Sequence, residues 1–161
     1  MSVTSEFRCF LETPEETADF AAELASLCRA GDCVLLYGDI GVGKTTFARG
    51  FIRKICESTE EIVSPTFTLV QTYPAMGGGA VWHLDLYRLK HQNELLELGL
   101  EEAFNDGIIL IEWPEIVVPY LPDTCLSLRL EMQGQGRIVV VSDVSNSWGG
   151  RLINLRNWEN R

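Results

Sequence analysis

Long apolar runs are missing from this sequence of 161 residues. The longest apolar stretches, at 33–37 and 107–111, fall far short of the ~20 residues that a membrane-spanning helix needs. Residues 1–7 also lack the basic, apolar and small-residue order of a signal peptide. We therefore expect a cytosolic protein without a membrane anchor.

Positive charge is scarce as well. The chain has 13 Lys and Arg against 23 Asp and Glu, which gives a formal net charge of −10. Because affinity for nucleic acid depends on Lys and Arg contacts to phosphate, we expect no direct binding of DNA, and contact with RNA only through other proteins. The acidic surface suits docking on a basic protein partner; the alternative is that it serves solubility alone.

Metal-ligating patterns are absent too. There are five cysteines, an odd number with no CxxC spacing, and two histidines. A structural zinc site needs four ligands in short paired spacings, so buried, reduced thiols are the expected state of these cysteines.

Hydrophobic residues make up 46% of the chain and charged residues 22%, which is typical of a globular protein. Without a repeat or linker, residues 1–161 are interpreted as one domain, with a short helix in the tail from about residue 148. The patterns predict strands at 7–12, 32–37, 67–73, 80–86, 107–111, 124–132 and 137–144, and helices at 13–31, 44–57 and 93–100. The alternation favours an α/β fold in which a mixed, mostly parallel sheet carries helices on both faces and antiparallel hairpin additions.

One glycine-rich loop carries the clearest chemical signal. Residues 38–45 match G-x-x-x-x-G-K-[ST] between a buried strand and an amphipathic helix, which is the context of a P-loop. This predicts a P-loop NTPase-like domain that binds ATP and Mg²⁺, with Lys44 on the phosphates and the Thr45 hydroxyl on the metal. The predicted nucleotide-binding residues of this segment are Gly38, Asp39, Ile40, Gly41, Val42, Gly43, Lys44, Thr45 and Thr46.

A P-loop also needs an acidic residue for Mg²⁺ or water, usually at the end of a nearby buried strand. Glu112 ends the apolar run 107–111 and is the favoured candidate, because a carboxylate among buried residues is costly unless it is paired or metal-bound. Asp85 is the second candidate; the alternative is a structural partner of Arg88 or of a capping N–H. Thr66 is predicted to sense the γ-phosphate, while a capping role in a Ser-Pro turn remains equally open.

Four segments in this order resemble the TsaE family of small bacterial ATPases: 38–46, 64–70, 83–88 and 111–114. The resemblance covers roughly 13–141. It implies an accessory ATPase, slow by itself, that acts with the proteins TsaB and TsaD in forming threonylcarbamoyladenosine in tRNA. It also implies that Lys44 and Thr45 hold the phosphates and Mg²⁺, that Glu112 is linked to the metal, and that Asp85 is a catalytic base or an outer ligand of the metal. Trp113 would lie beside the nucleotide, and Pro14 and Arg137 would contact its adenine end.

Two other functions fit parts of the sequence. A small-molecule P-loop kinase would need an arginine-bearing lid, and no arginine-rich insert is visible. A nucleotide-responsive binding module with negligible hydrolysis cannot be separated from an ATPase by sequence, because positioning decides the rate. The expected preference for ATP over GTP rests mainly on the resemblance to the TsaE family, and no guanine-reading N-K-x-D segment is present.

Overall fold

The computed structural model describes residues 5–56, 62 and 69–160 of the chain. Seven strands form one sheet in the order β1-β7-β6-β2-β5-β4-β3. The strands are β1 (Ser5–Leu11), β2 (Cys33–Tyr37), β3 (Val70–Pro74), β4 (Ala80–Asp85), β5 (Ile108–Glu112), β6 (Leu126–Gln133) and β7 (Gly136–Asp143).

The centre of the sheet is parallel. Strands β6, β2, β5 and β4 pair in parallel, while β7 joins β6 and β1, and β3 joins β4, in antiparallel fashion. Five strands consequently run in one direction and two, β3 and β7, in the other. The predicted mixed, mostly parallel sheet with antiparallel hairpins is confirmed.

Helices cover both faces of the sheet. Helices α1 (Pro14–Leu27) and α2 (Lys44–Cys56) pack with Val34 and Leu36 of β2 on one face. On the other face, α3 (Leu100–Asp106) belongs to a second apolar cluster that contains Cys33 and Leu35. The central strand buries both sides because successive side chains alternate between faces.

The predicted capping of α1 is present. The Thr13 side chain accepts a hydrogen bond from the Glu16 N–H at 3.1 Å, and Pro14 occupies the first helical turn. The Glu16 carboxylate reaches back to the N–H of Glu12 at 2.7 Å. These bonds satisfy amide groups that have no partner within the helix, so the start of α1 is fixed next to the end of β1.

The helix predicted at 93–100 is wrong in type and in where it ends. Residues Gln92–Leu98 form a 3₁₀ segment, and the α-helix of this region is α3, which the sequence pattern missed. Gly99 separates the two with a left-handed backbone, φ 74°. A residue in that conformation ends one helical segment and redirects the chain before the next.

The tail contains two 3₁₀ segments, Gly149–Leu152 and Leu155–Asn160, in place of the single short helix that was predicted. Arg151 donates two hydrogen bonds to Asp32, at 2.7 and 3.2 Å, and one to the Leu27 carbonyl at 3.1 Å. Trp148 and Trp158 are buried in the same cluster as α1. The tail is thereby attached to the end of α1 and to the start of β2.

All five cysteines are free thiols, four of them buried and Cys28 half-buried. Within the described ranges, no helix has the length and apolar character needed to cross a membrane.

Candidate functional site

Three chain segments meet at the carboxyl edge of the parallel strands. The glycine-rich loop follows β2, Asp85 ends β4 and Glu112 ends β5. In open α/β sheets, ligands bind at this edge. The strand directions alone therefore bring the predicted loop and both predicted carboxylates to one place.

The loop is tightly built. Gly38 has φ +150°, and a Cβ there would lie 2.7 Å from Val42 Cγ1 and 2.9 Å from the Leu130 carbonyl oxygen. Only glycine fits such a position without a shift of the backbone. The Val42 N–H closes a turn onto the Asp39 carbonyl at 3.2 Å, after which α2 begins at Lys44.

Lys44 is buried, with 6% of its surface exposed. Its ammonium donates to the Gly38 carbonyl and lies 3.7 Å from the centroid of the Trp113 ring. Burial lowers the pKa of Lys44, and the nearby carboxylates of Glu112 and Asp85 oppose that effect. A buried ammonium held by carbonyl oxygens and an aromatic face is available to anionic oxygens that enter the loop.

The two carboxylates are register partners on neighbouring parallel strands. Glu112 is 4% exposed and Asp85 6%. Asp85 Oδ1 accepts from the Tyr87 N–H at 3.0 Å, and Glu112 Oε2 lies 2.7 Å from Nε2 of buried His83. Two adjacent buried carboxylates repel each other, so a cation between or beside them is favoured.

Trp113 has a left-handed backbone, φ 55° and ψ 56°. A non-glycine residue in this region carries strain of about 1–3 kcal/mol, and such strain clusters at functional sites. The conformation turns the chain directly after Glu112, and the Trp113 ring meets the Tyr87 ring with centroids 4.8 Å apart. The aromatic pair forms one wall of the site beside Lys44.

A cavity of about 430 Å³ joins these groups. Its lining combines loop and helix-start residues with the carboxylates and aromatic residues of the β4 and β5 ends. These residues are Ile40, Gly41, Gly43, Lys44, Thr45, Asp85, Tyr87, Glu112 and Trp113. Its lining residues supply one ammonium, the hydroxyls of Thr45 and Tyr87, two carboxylates and the start of a helix, which together suit a phosphate group accompanied by a divalent cation.

The remaining predicted loop residues are not part of this cavity lining. Gly38, Asp39 and Val42 line a second cavity of about 610 Å³, to which Trp113 also contributes. Thr46 is half-buried in the first turn of α2.

Arg137 contacts the loop directly, by donating from Nε to the Val42 carbonyl. Pro14 is exposed at the start of α1. The antiparallel register pairs Arg137 with Leu11 at the end of β1, from which the chain continues into α1 at Pro14. Thr66 and the rest of the 63–68 segment lie outside the described residues.

Two residues of the site were missed by the sequence reasoning. Tyr87 and His83 both belong to segment 83–88, which was quoted for its aspartate alone. The alternation of a strand places His83 and Asp85 on the same face, and this signal could have found His83. Tyr87 follows the strand end, so no period predicted its contact with Trp113.

The fold and this site define an α/β protein of the P-loop NTPase-like class. A family model described as threonylcarbamoyl adenosine biosynthesis protein TsaE matches residues 11–139. The chain belongs to the TsaE family.

Similar proteins from other bacteria support the same family assignment. A protein of Rickettsia conorii is 46% identical over 148 residues, covering 90% of this chain and 84% of that protein. One of Bacillus subtilis is 35% identical over 137 residues, covering 84% of each. Both are named tRNA threonylcarbamoyladenosine biosynthesis protein TsaE. The crystal structure of Bacillus subtilis YdiB matches 98% of this chain with a TM-score of 0.76 at 28% identity.

Proposed function

We propose that this chain binds ATP with Mg²⁺ in the 430 Å³ cavity, hydrolyses it slowly, and serves as an accessory ATPase in making threonylcarbamoyladenosine in tRNA, together with TsaB and TsaD. The observation that carries the proposal is the meeting of Lys44 and two buried carboxylates on one cavity beside the glycine-rich loop. The names of the relatives supply the pathway.

The residues present fit the nucleotide and the metal. Lys44 and the amide groups at the start of α2 would hold phosphate oxygens. The Thr45 hydroxyl and Glu112 would hold Mg²⁺, and one or two protein ligands are usual for Mg²⁺ because phosphates and water complete its shell. Bound Mg²⁺ would neutralise charge that develops on the phosphates.

Asp85 remains for the attacking water. It lies beside Glu112 in the register, and one of its oxygens accepts from the Tyr87 N–H. A carboxylate held in this way can orient a water molecule or take its proton. In this proposal Asp85 is the base or an outer ligand of Mg²⁺.

The partners supply what the chain lacks. A net charge of −10 opposes direct contact with tRNA. An acidic ATPase that reaches its RNA substrate only through TsaB and TsaD is consistent with that charge. A site that depends on partners for its completion also accounts for slow hydrolysis by the chain alone.

The test is phosphate release from ATP by the purified chain with Mg²⁺, alone and with a TsaB–TsaD pair. We expect a slow rate that rises clearly with the pair. Lys44→Ala is the control, because hydrolysis that survives this change does not arise at the loop. A rate indifferent to the pair, in a protein that binds ATP tightly, would contradict the tRNA-modification role.

A further inference from the structure

A buried histidine lies directly behind the favoured metal ligand. His83 is 2% exposed and sits on β4, two positions before Asp85. Its Nε2 lies 2.7 Å from Glu112 Oε2. Neither the P-loop pattern nor the charge of the loop accounts for a histidine at this place.

The hydrogen-bond partners of the two ring nitrogens of His83 indicate which nitrogen carries the proton. Within the described part of the chain, His83 Nδ1 is buried and has no hydrogen-bond partner. A proton on Nδ1 would be an unsatisfied buried donor, whereas a bare Nδ1 is only an unused acceptor. The neutral ring therefore carries its proton on Nε2 and donates it to Glu112.

This contact occupies one oxygen of Glu112 and fixes the plane of its carboxylate. Glu112 lines the cavity, and among the described residues only its Oε2 has a hydrogen-bond partner, so Oε1 is the oxygen left for a cation. A buried donor also compensates the carboxylate for lost hydration while adding no positive charge that would compete with a metal.

We propose that His83 is a positioning residue, which holds Glu112 by an Nε2–H donor so that the carboxylate is already oriented for Mg²⁺ before the nucleotide arrives. The inference rests on the proposed function, because it assumes that Glu112 binds the metal. Outer-shell donors of this kind change metal affinity by about 10- to 100-fold when they are removed.

Two substitutions separate the donor from the ring. In His83→Gln, the side-chain amide can place an N–H near the position of Nε2, whereas His83→Leu fills similar space without a donor. The measurement is the affinity for ADP by calorimetry across a Mg²⁺ titration and in excess EDTA. We expect the Mg²⁺ concentration that gives half of the metal's effect on ADP affinity to be about 10- to 100-fold higher in His83→Leu than in the wild type. In His83→Gln this concentration should stay near the wild-type value.

A double-variant comparison removes a merely structural explanation. In a Glu112→Gln background the metal ligand is already impaired, so His83→Leu should cause little further change in the Mg²⁺ requirement. ADP affinity in EDTA should be the same in His83→Leu as in the wild type, and the same in Glu112→Gln with and without His83→Leu, because His83→Leu changes neither the loop nor Lys44. Denaturation curves check that each variant is folded.

Three outcomes would overturn the proposal. These are an unchanged Mg²⁺ requirement in folded His83→Leu, a loss in His83→Gln as large as in His83→Leu, and an undiminished His83→Leu effect in the Glu112→Gln background. Failure of the proposed function looks different, because the wild-type protein would then not bind the nucleotide or would bind it equally well with and without Mg²⁺.

Discussion

Replacing Gly38 with alanine tests how closely the glycine-rich loop is packed against the sheet. A Cβ at Gly38 would lie 2.9 Å from the Leu130 carbonyl oxygen and 2.7 Å from Val42 Cγ1. Separations under 3.0 Å are essentially never seen for real Cβ atoms, and the Leu130 oxygen is backbone that cannot rotate away. The loop must therefore move in Gly38→Ala.

Two other glycines serve as matched controls. Gly41, in the same loop, has φ +82°, and Gly77, in the β3–β4 hairpin, has φ +84°. A Cβ at either would meet nothing within 4 Å. Alanine at Gly41 or Gly77 therefore costs only the strain of a left-handed backbone, about 1–2 kcal/mol.

Gly38→Ala carries that strain and an overpacking cost of about 1–3 kcal/mol. Relative to the controls, the extra cost corresponds to a melting temperature lower by about 2–12 °C, since 1 kcal/mol shifts a domain of this size by about 2–4 °C. Thermal unfolding of the nucleotide-free proteins measures this difference. Gly38→Ala should also weaken ATP binding, while Gly77→Ala, at the opposite edge of the sheet, should not.

Equal unfolding temperatures for the three alanine variants would refute this reasoning. That result would mean that the loop does not rest on Leu130 and can accept a side chain at Gly38. A Gly38→Ala protein that is destabilised but binds ATP normally would show that the close packing supports the fold and has no part in shaping the site.

Two further predictions concern charge. Lys44→Met should abolish ATP binding while leaving the unfolding free energy at pH 7 unchanged or higher. Because burial lowers the pKa of Lys44, the folded protein releases this proton before the unfolded chain does, and the wild type gains stability as pH rises through the lowered pKa toward 10.5. Urea unfolding from about pH 7 to about 10.5 should therefore show the variant's stability advantage shrinking, and a constant difference would contradict the burial argument. Arg151→Met should lower the unfolding free energy by about 1–3 kcal/mol, because the contacts with Asp32 are lost, and nucleotide affinity should not change. The control is Ile153→Thr, at a position 65% exposed in the same tail, which should change the unfolding free energy by no more than about 0.5 kcal/mol. Equal unfolding free energies for the two variants would mean that the tail has no role in stability.

Sequence reasoning found the elements of the site because each carries a local signal. The glycine spacing marks the loop, and an acidic residue at the end of an apolar run marks Glu112. The contacts between elements carry no such signal. The pairing of His83 with Glu112 depends on the register of β4 against β5, which neither strand's pattern determines on its own.

The errors in the predicted secondary structure also arise from contacts that no local pattern determines. The region 93–100 was predicted as one helix, but Gly99 lies between the end of a 3₁₀ segment at Leu98 and the start of α3 at Leu100. A glycine within a helical pattern is compatible with a continuous helix or with a break, and only packing decides between them. Gly99 makes such a long-range contact, because a Cβ added to it would lie 3.7 Å from carbon atoms of the Trp82 ring.

Several unfavourable features of this fold meet at one edge of the sheet. Lys44 is a buried cation, Asp85 and Glu112 are adjacent buried carboxylates, and Trp113 has a left-handed backbone. Each of these costs stability, and a sequence that violates local rules in one place usually does so for function. All four residues line the same cavity; elsewhere, buried Asp143 and the left-handed Asn146 are isolated cases. Because a bound anion with its cation would satisfy the ammonium and the carboxylates together, this distribution of costs supports nucleotide binding independently of the loop motif.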